Sequence, residues 1–252
     1  YDNCLELSCD TLLSDKSLKF VANDGSGGFQ RKRFHTKNYD NRIVQRGIFD
    51  KHEDCLPQIN LLHPHGSVYW NKEGAEINLN YHQSPYNFTF TAAQNSLIDN
   101  LMGVITNDAS TYENLLPLQA FGNWAGLEGD EFLAVYKTMP IVNPTKWKFH
   151  ETVFEEAYYQ LLRHLSFELE RPNSIFVTFG FSFADEHILR LVERSLSNPT
   201  LTVYICCFNE HVKNEMQDKF KGYRNVKYIT SDNDLTFTEF NRTVCSLEKD
   251  NA

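Results

Sequence analysis

The chain is 252 residues long, with 24 Lys+Arg against 33 Asp+Glu for a formal charge of −9, and it is 41% hydrophobic and 13% aromatic. That length fits one large α/β domain or two small ones, either able to bury a core. The acidic balance excludes a surface that coats nucleic acid or anionic lipid throughout, while leaving room for a local basic patch. The longest near-apolar run, residues 201–208, is far short of the roughly 20 residues a membrane helix needs. The chain opens at Tyr1 with neither a charged nor an apolar leader, so no signal peptide is expected, and Tyr1 reads as an internal starting point.

In chain order, Leu5, Cys9 and Leu13 recur every four residues and predict a short helix over 3–13 with that face inward. A strand is expected at 18–22, then a Gly-rich loop over 23–29. Residues 30–54 are polar and basic with little periodicity and read as an irregular insertion. Two β segments, 58–62 and 66–70, are expected on either side of Pro64. A turn at 71–74 and a strand at 76–81 follow. Residues 92–106 read as helix, and 107–137 give no clear pattern.

Regular alternation begins near residue 138. A strand over 139–143 ends at Pro144. Phe149, Val153, Ala157, Leu161, Leu165 and Leu169 then mark one long amphipathic helix. Buried strands are predicted at 174–179 and 201–208 and a strand at 226–230, with helices at 184–196, 210–220 and 235–247. Asp185 and Glu186 fall in the first turn of their helix, where negative charge suits the dipole. The order β-α-β-α-β-α-β-α predicts a Rossmann-like parallel sheet with helices on both faces. Ligands of such sheets sit beyond the carboxyl ends of the strands, which directs attention to Asn143, Gly180 to Ser182, Asn209 and residues 231–233.

Six cysteines stand at 4, 9, 55, 206, 207 and 245, and no Cys-x-x-Cys occurs. A zinc ribbon, which needs two such pairs, is therefore excluded within this chain. Free thiols in a reducing compartment are the simpler reading, with Cys4 and Cys9 facing a core.

Two segments carry possible chemistry. In His63-Pro64-His65-Gly66-Ser67, a histidine at a strand break can project while the glycine turns the backbone away. In Gly180-Phe181-Ser182-Phe183-Ala184-Asp185-Glu186-His187, the glycine permits close backbone approach and Ser182 can hydrogen-bond a phosphate or ribose near a helix N-terminus. Each alone is also what an ordinary turn looks like.

Together and in this order they resemble the sirtuin-like NAD-binding domain, in the branch found in bacterial antiphage defence systems, with the HerA-associated type most similar. The resemblance covers most of residues 1–252. Tyr1-Asp2 and the following helix match the end of that family's Thr-x-Asn-Tyr-Asp segment, His65-Gly66-Ser67 its Leu-His-Gly-Ser segment, and Gly180 to His187 its Gly-[Tyr/Phe]-Ser-Phe-x-Asp-x-His-Ile segment. The resemblance implies that His65 is catalytic and that Asp2, Gly180, Ser182 and Asn209 contact NAD. The family's Gly-Ala-Gly phosphate loop and its catalytic asparagine would lie before Tyr1, and His63-Pro64 replaces the usual Lys-Leu. Thr36-Lys37-Asn38-Tyr39-Asp40 repeats the asparagine motif, but it follows Arg31-Lys32-Arg33 rather than an apolar strand, so Asn38 reads as a surface loop residue.

The resemblance implies a cytoplasmic hydrolase that cleaves NAD to nicotinamide and ADP-ribose, with NAD as substrate and no zinc, acting as an effector that depletes NAD. It also implies a homo-oligomer and a HerA-type ATPase or Argonaute-like partner, through which any nucleic acid would be met. The alternatives are a scaffold that binds NAD or ADP-ribose, and an NAD-dependent protein deacylase, which the missing zinc ribbon disfavours. His187 reads as structural or interfacial. Lys146, Trp147 and Lys148 could lie beside phosphates or form a solvated helix start.

Overall fold

The computed structural model describes residues 4–15, 17–46, 53–74, 76–82, 89–107, 109–120, 129–142 and 156–246. The chain divides into two compact units, Tyr1–Thr145 and Lys146–Ala252. Both are mixed α/β, and each contains a parallel strand pairing.

In the first unit, α1 (Cys4–Leu13) precedes β1 (Val21–Asn23), which pairs in parallel with β6 (Gln58–Asn60). The face of α1 differs from the expected one: Glu6 and Cys9 are buried, whereas Cys4, Leu5 and Leu13 are exposed. Apolar spacing missed this because the inward position next to Cys9 is held by a carboxylate with a partner far along the chain.

The stretch expected to be irregular contains four short elements: β3 (Lys32–Phe34), a 3-10 helix (Thr36–Asp40), β4 (Val44–Arg46) and β5 (Glu53–Cys55). Three-residue strands are too short to display a period of two. Ladder hydrogen bonds and cross-strand ion pairs accompany them, Arg33 with Glu76 at 3.2 Å and Arg46 with Glu53 at 2.8 Å. A four-stranded antiparallel sheet runs in the order β2 (Ser26–Gly27), β3, β8 (Glu76–Leu79), β7 (Trp70–Glu73). Of residues 66–69, expected to be strand, Gly66 makes a single bridge and 68–69 form a turn, and the strand begins only at Trp70.

Helix α2 (Ala92–Ile105) starts with a capping box, in which the Thr91 hydroxyl accepts from the Gln94 backbone and the Gln94 side chain accepts from the Thr91 backbone. The stretch without a readable pattern supplies α3 (Tyr112–Ala120) and α4 (Gly129–Thr138). The strand expected at 139–143 is reduced to one bridge, Ile141 with Gly66.

In the second unit, α5 (Glu156–Glu170) is followed by β9 (Ile175–Thr178), α6 (Glu186–Ser195), β10 (Thr202–Cys206), α7 (Glu210–Lys219), β11 (Val226–Ile229) and α8 (Phe237–Thr243). Phe149 and Val153 of the expected long helix lie outside the described residues. The strands form a parallel sheet in the order β11-β10-β9. Its core joins Leu169, Val192, Leu196, Val203, Ile205 and Met216. β10 is buried as expected. β9 is an edge strand among the described residues, with Ile175 and Val177 exposed, contrary to its buried-type sequence. Three cysteines, 9, 206 and 207, are buried, and all six are free. No described helix is long and apolar enough to cross a membrane.

Candidate functional site

His65 is presented by two consecutive turns placed just after β6. The Gly66 amide donates to the His63 carbonyl at 2.9 Å, closing a β-turn with Pro64 and His65 as its central residues. Proline fixes φ near the value the first central position requires, which leaves His65 at the second. A second turn follows at once: the Trp70 amide donates to the Ser67 carbonyl at 3.1 Å, and the Tyr69 amide donates to Ser67 Oγ, also at 3.1 Å.

Gly66 cannot be replaced freely. It has φ +79°, and a Cβ there would overlap the carbonyl oxygen of Pro140. The neighbouring His65 carbonyl accepts from the Val142 amide at 2.8 Å. The backbone beneath the histidine is thus clamped from both sides, with Ser67 buried and the His65 side chain half-buried. A half-buried imidazole at a turn apex keeps contact with solvent, which a group that accepts a proton from water needs.

The second predicted segment begins directly after β9. Gly180 has φ +64°, and an added Cβ would meet no protein atom within 4 Å, so its approach side is open. Ser182 is exposed, and its hydroxyl makes no hydrogen bond among the described residues. Phe183 adopts φ 54°, a left-handed conformation that is costly for a bulky side chain. Burial maintains it: Phe183 is 1% exposed and its ring lies 4.7 Å from Phe181 and 4.9 Å from Phe220. The Lys219 ammonium donates to the Ser182 and Phe183 carbonyls at 3.1 and 3.3 Å.

The start of α6 is capped from within the chain. Asp185 is the N-cap, and its carboxylate accepts from the amides of His187 and Ile188. A negative group already occupies the donors that would attract a phosphate. Ser182 is therefore better suited to a neutral hydroxyl than to a second anion. Asn209 caps α7 in the same way, its Oδ1 accepting from the Val212 amide at 3.1 Å. The cap uses only Oδ1, and a primary amide's NH2 group can donate to a ribose oxygen.

The Gly180–Ser182 segment and Asn209 follow adjacent strands, β9 and β10, at the carboxyl end of one parallel sheet. His65 belongs to the other unit. Asp2, Asn143 and Lys146 to Lys148 lie outside the described residues. Asn38 is not the surface loop residue it resembled. It is half-buried in the 3-10 helix, donating through Nδ2 to the Gly25 carbonyl and accepting at its own carbonyl from Asn23 Nδ2, both at 2.9 Å. Its neighbour Tyr39 is fully buried and donates to the Leu61 carbonyl at 2.7 Å.

The first unit also contains a cleft of about 450 Å³ lined by Glu6, Cys9, Asp24, Lys32, Leu61 and Tyr81 among others, and by none of the predicted site residues that are described. Burial raises the phenol pKa of Tyr39 and Tyr81, and the negative charges of Asp24 and Glu6 raise it further, so both remain protonated donors.

Sequence reasoning overlooked three features. The contact between His63 Nε2 and Glu6 Oε1 spans 2.6 Å, and Lys219 and Phe183 hold the segment after β9. The one readable hint was an acidic residue in the middle of the α1 helix pattern. Comparison with models of known protein families gives no match, and comparison with curated proteins gives none either.

Proposed function

We propose that the protein hydrolyses NAD to nicotinamide and ADP-ribose. The observation that carries this reading is the grouping of an open-sided glycine, an exposed hydroxyl and a capping asparagine at the carboxyl ends of adjacent parallel strands. Open α/β sheets bind nucleotides at that end. The resemblance of the His65 and Gly180 segments to sirtuin-like defence proteins supports the same substrate. On this reading the sheet is Rossmann-like with helices on both faces, and Gly180, Ser182 and Asn209 hold the adenosine ribose.

Cleavage breaks the bond between ribose C1′ and the nicotinamide nitrogen, and the electron pair leaves with neutral nicotinamide. The sugar passes through an oxocarbenium-like state, as in glycoside hydrolysis. Water adds at C1′ and gives up its proton to the His65 imidazole, a base whose ordinary pKa lies near working pH. Asp2 orients the nicotinamide carboxamide. The biological role that fits is NAD depletion by a cytoplasmic defence effector, a homo-oligomer working with a HerA-type ATPase or an Argonaute-like partner.

The test is release of nicotinamide from NAD by the purified protein, with and without such a partner. His65→Ala is expected to abolish release while circular dichroism shows a folded protein. Undiminished turnover in that variant would falsify the assignment. NAD or ADP-ribose binding without any release would return the scaffold reading.

A further inference from the structure

Among the described carboxylate–base contacts, the one between Glu6 and His63 has both side chains largely enclosed, at 10% and 17% exposure. Glu6 lies on α1, and His63 begins the turn that carries His65. The contact joins residues 57 positions apart. The His63 ring also meets Trp70 edge-on at 6.0 Å, and Trp70 is fully buried against Phe34. The side chain of His63 is therefore fixed on two sides, and its carbonyl is the acceptor that closes the turn at Gly66.

We infer that Glu6 and His63 are positioning residues for His65: the pair latches α1 to the first residue of the turn and so sets the direction of the imidazole two residues on. The inference rests on the NAD-cleavage reading for its kinetic consequence, but not for its geometry. Three features support it. A buried carboxylate is held only where hydrogen bonds or opposite charge compensate its desolvation, so this contact is not incidental. Glu6 Oε1 has His63 as its partner, while Oε2 is buried without one among the described residues. Further, most other polar groups around Glu6 are acids or neutral donors, namely Asp24, Asp10, Cys9, Tyr39 and Tyr81, while the bases Lys32 and His82 line the same cleft without a hydrogen bond to Glu6 among the described contacts. His63 is thus the base that satisfies this carboxylate directly, and losing either partner frees the start of the turn.

The experiment compares the wild-type protein with Glu6→Ala, Glu6→Gln, His63→Ala and the Glu6→Ala/His63→Ala double variant. Misaligning a proton acceptor by about 1 Å costs up to about 100-fold in rate, so Glu6→Ala is expected to lower kcat on NAD by that order with KM little changed. Glu6→Gln keeps an acceptor oxygen for His63 and is expected to recover most of the rate, and the double variant to be no slower than the worse single one. A general loss of folded protein would not produce that rescue or that lack of additivity. Unchanged kcat in Glu6→Ala, or fully additive losses, overturns the latch. A second measurement is independent of NAD: acylation of His65 by diethyl pyrocarbonate, followed by mass spectrometry. Faster labelling in Glu6→Ala and wild-type labelling in Glu6→Gln are expected. If the wild-type protein releases no nicotinamide, the NAD reading fails, and the labelling alone decides the latch: equal rates in all variants refute it.

Discussion

The two segments that present candidate chemistry each follow a strand of a parallel pair, β6 in one unit and β9 in the other, yet opposite means hold their backbones. Around His65 the main chain itself is the clamp. A proline-containing turn, a glycine facing the Pro140 carbonyl and a hydrogen bond from the Val142 amide fix the backbone from which the imidazole projects. Around Ser182 the backbone is strained at Phe183, and side chains hold it: two neighbouring rings and the Lys219 ammonium. The first arrangement suits a group that must point in one direction. The second keeps the glycine and serine open to solvent while the cost of the left-handed residue is met by burial beneath. A turn braced by backbone and a turn braced by packing should therefore fail differently.

The largest effect is expected at the packed turn. Phe183→Ala removes a fully enclosed ring and should lower the stability of its unit by about 3–5 kcal/mol in urea unfolding. A loss under about 1 kcal/mol would mean that packing does not hold this segment. The two glycines give the sharpest contrast. Gly66→Ala forces a methyl onto a carbonyl oxygen and should cost about 3 kcal/mol or more, measured in the same way. Gly180→Ala meets nothing and should cost only the left-handed backbone penalty, about 1–2 kcal/mol, while weakening NAD binding in calorimetry. Equal costs at the two glycines would erase the distinction between the turns.

Asp185→Ala should remove a helix cap worth about 1 kcal/mol. It should also let α6 attract anions, read as stabilisation by added phosphate that the wild-type protein does not show. The smallest effect concerns the thiols at the end of β10. Burial pushes Cys206 up to about 11, and the neighbouring Cys207 and Cys245 add to the shift. Its folded pKa exceeds its ordinary 9.0, so the protonated thiol is the form the fold prefers. Stability from this group is fully present below pH 9 and declines as pH rises from 9 through 11. At pH 8 a maleimide should label Cys4, Cys55 and Cys245 quickly and Cys206 and Cys207 slowly, as mass spectrometry would show.

Much of the second unit was legible because its signals are local. The run at 201–208 contains β10, and the helices expected at 184–196 and 210–220 contain α6 and α7. The edge position of β9 was not legible, since Ile and Val suit a buried strand and an exposed one alike. The stretch 30–54 hid four elements because three-residue strands have no period to read. Of the candidate site, the sequence marked His65, Gly180, Ser182 and Asn209, but it said nothing of what holds them.

What the sequence by itself determined is the set of strong local choices: a proline and a glycine flanking His65, acidic residues at the start of the helix after β9, a near-apolar central strand. Tertiary structure alone decided that Glu6 rather than Leu5 faces inward, that Phe183 takes a left-handed backbone, and that Lys219 reaches back across 37 residues to the Ser182 carbonyl. The physical reason is the range of the forces involved. Propensity, capping and turn chemistry act within a few residues, so they are written in adjacent letters. The partner that satisfies a buried charge, or the packing that offsets a strained backbone, arrives from elsewhere in the chain and exists only once it has folded.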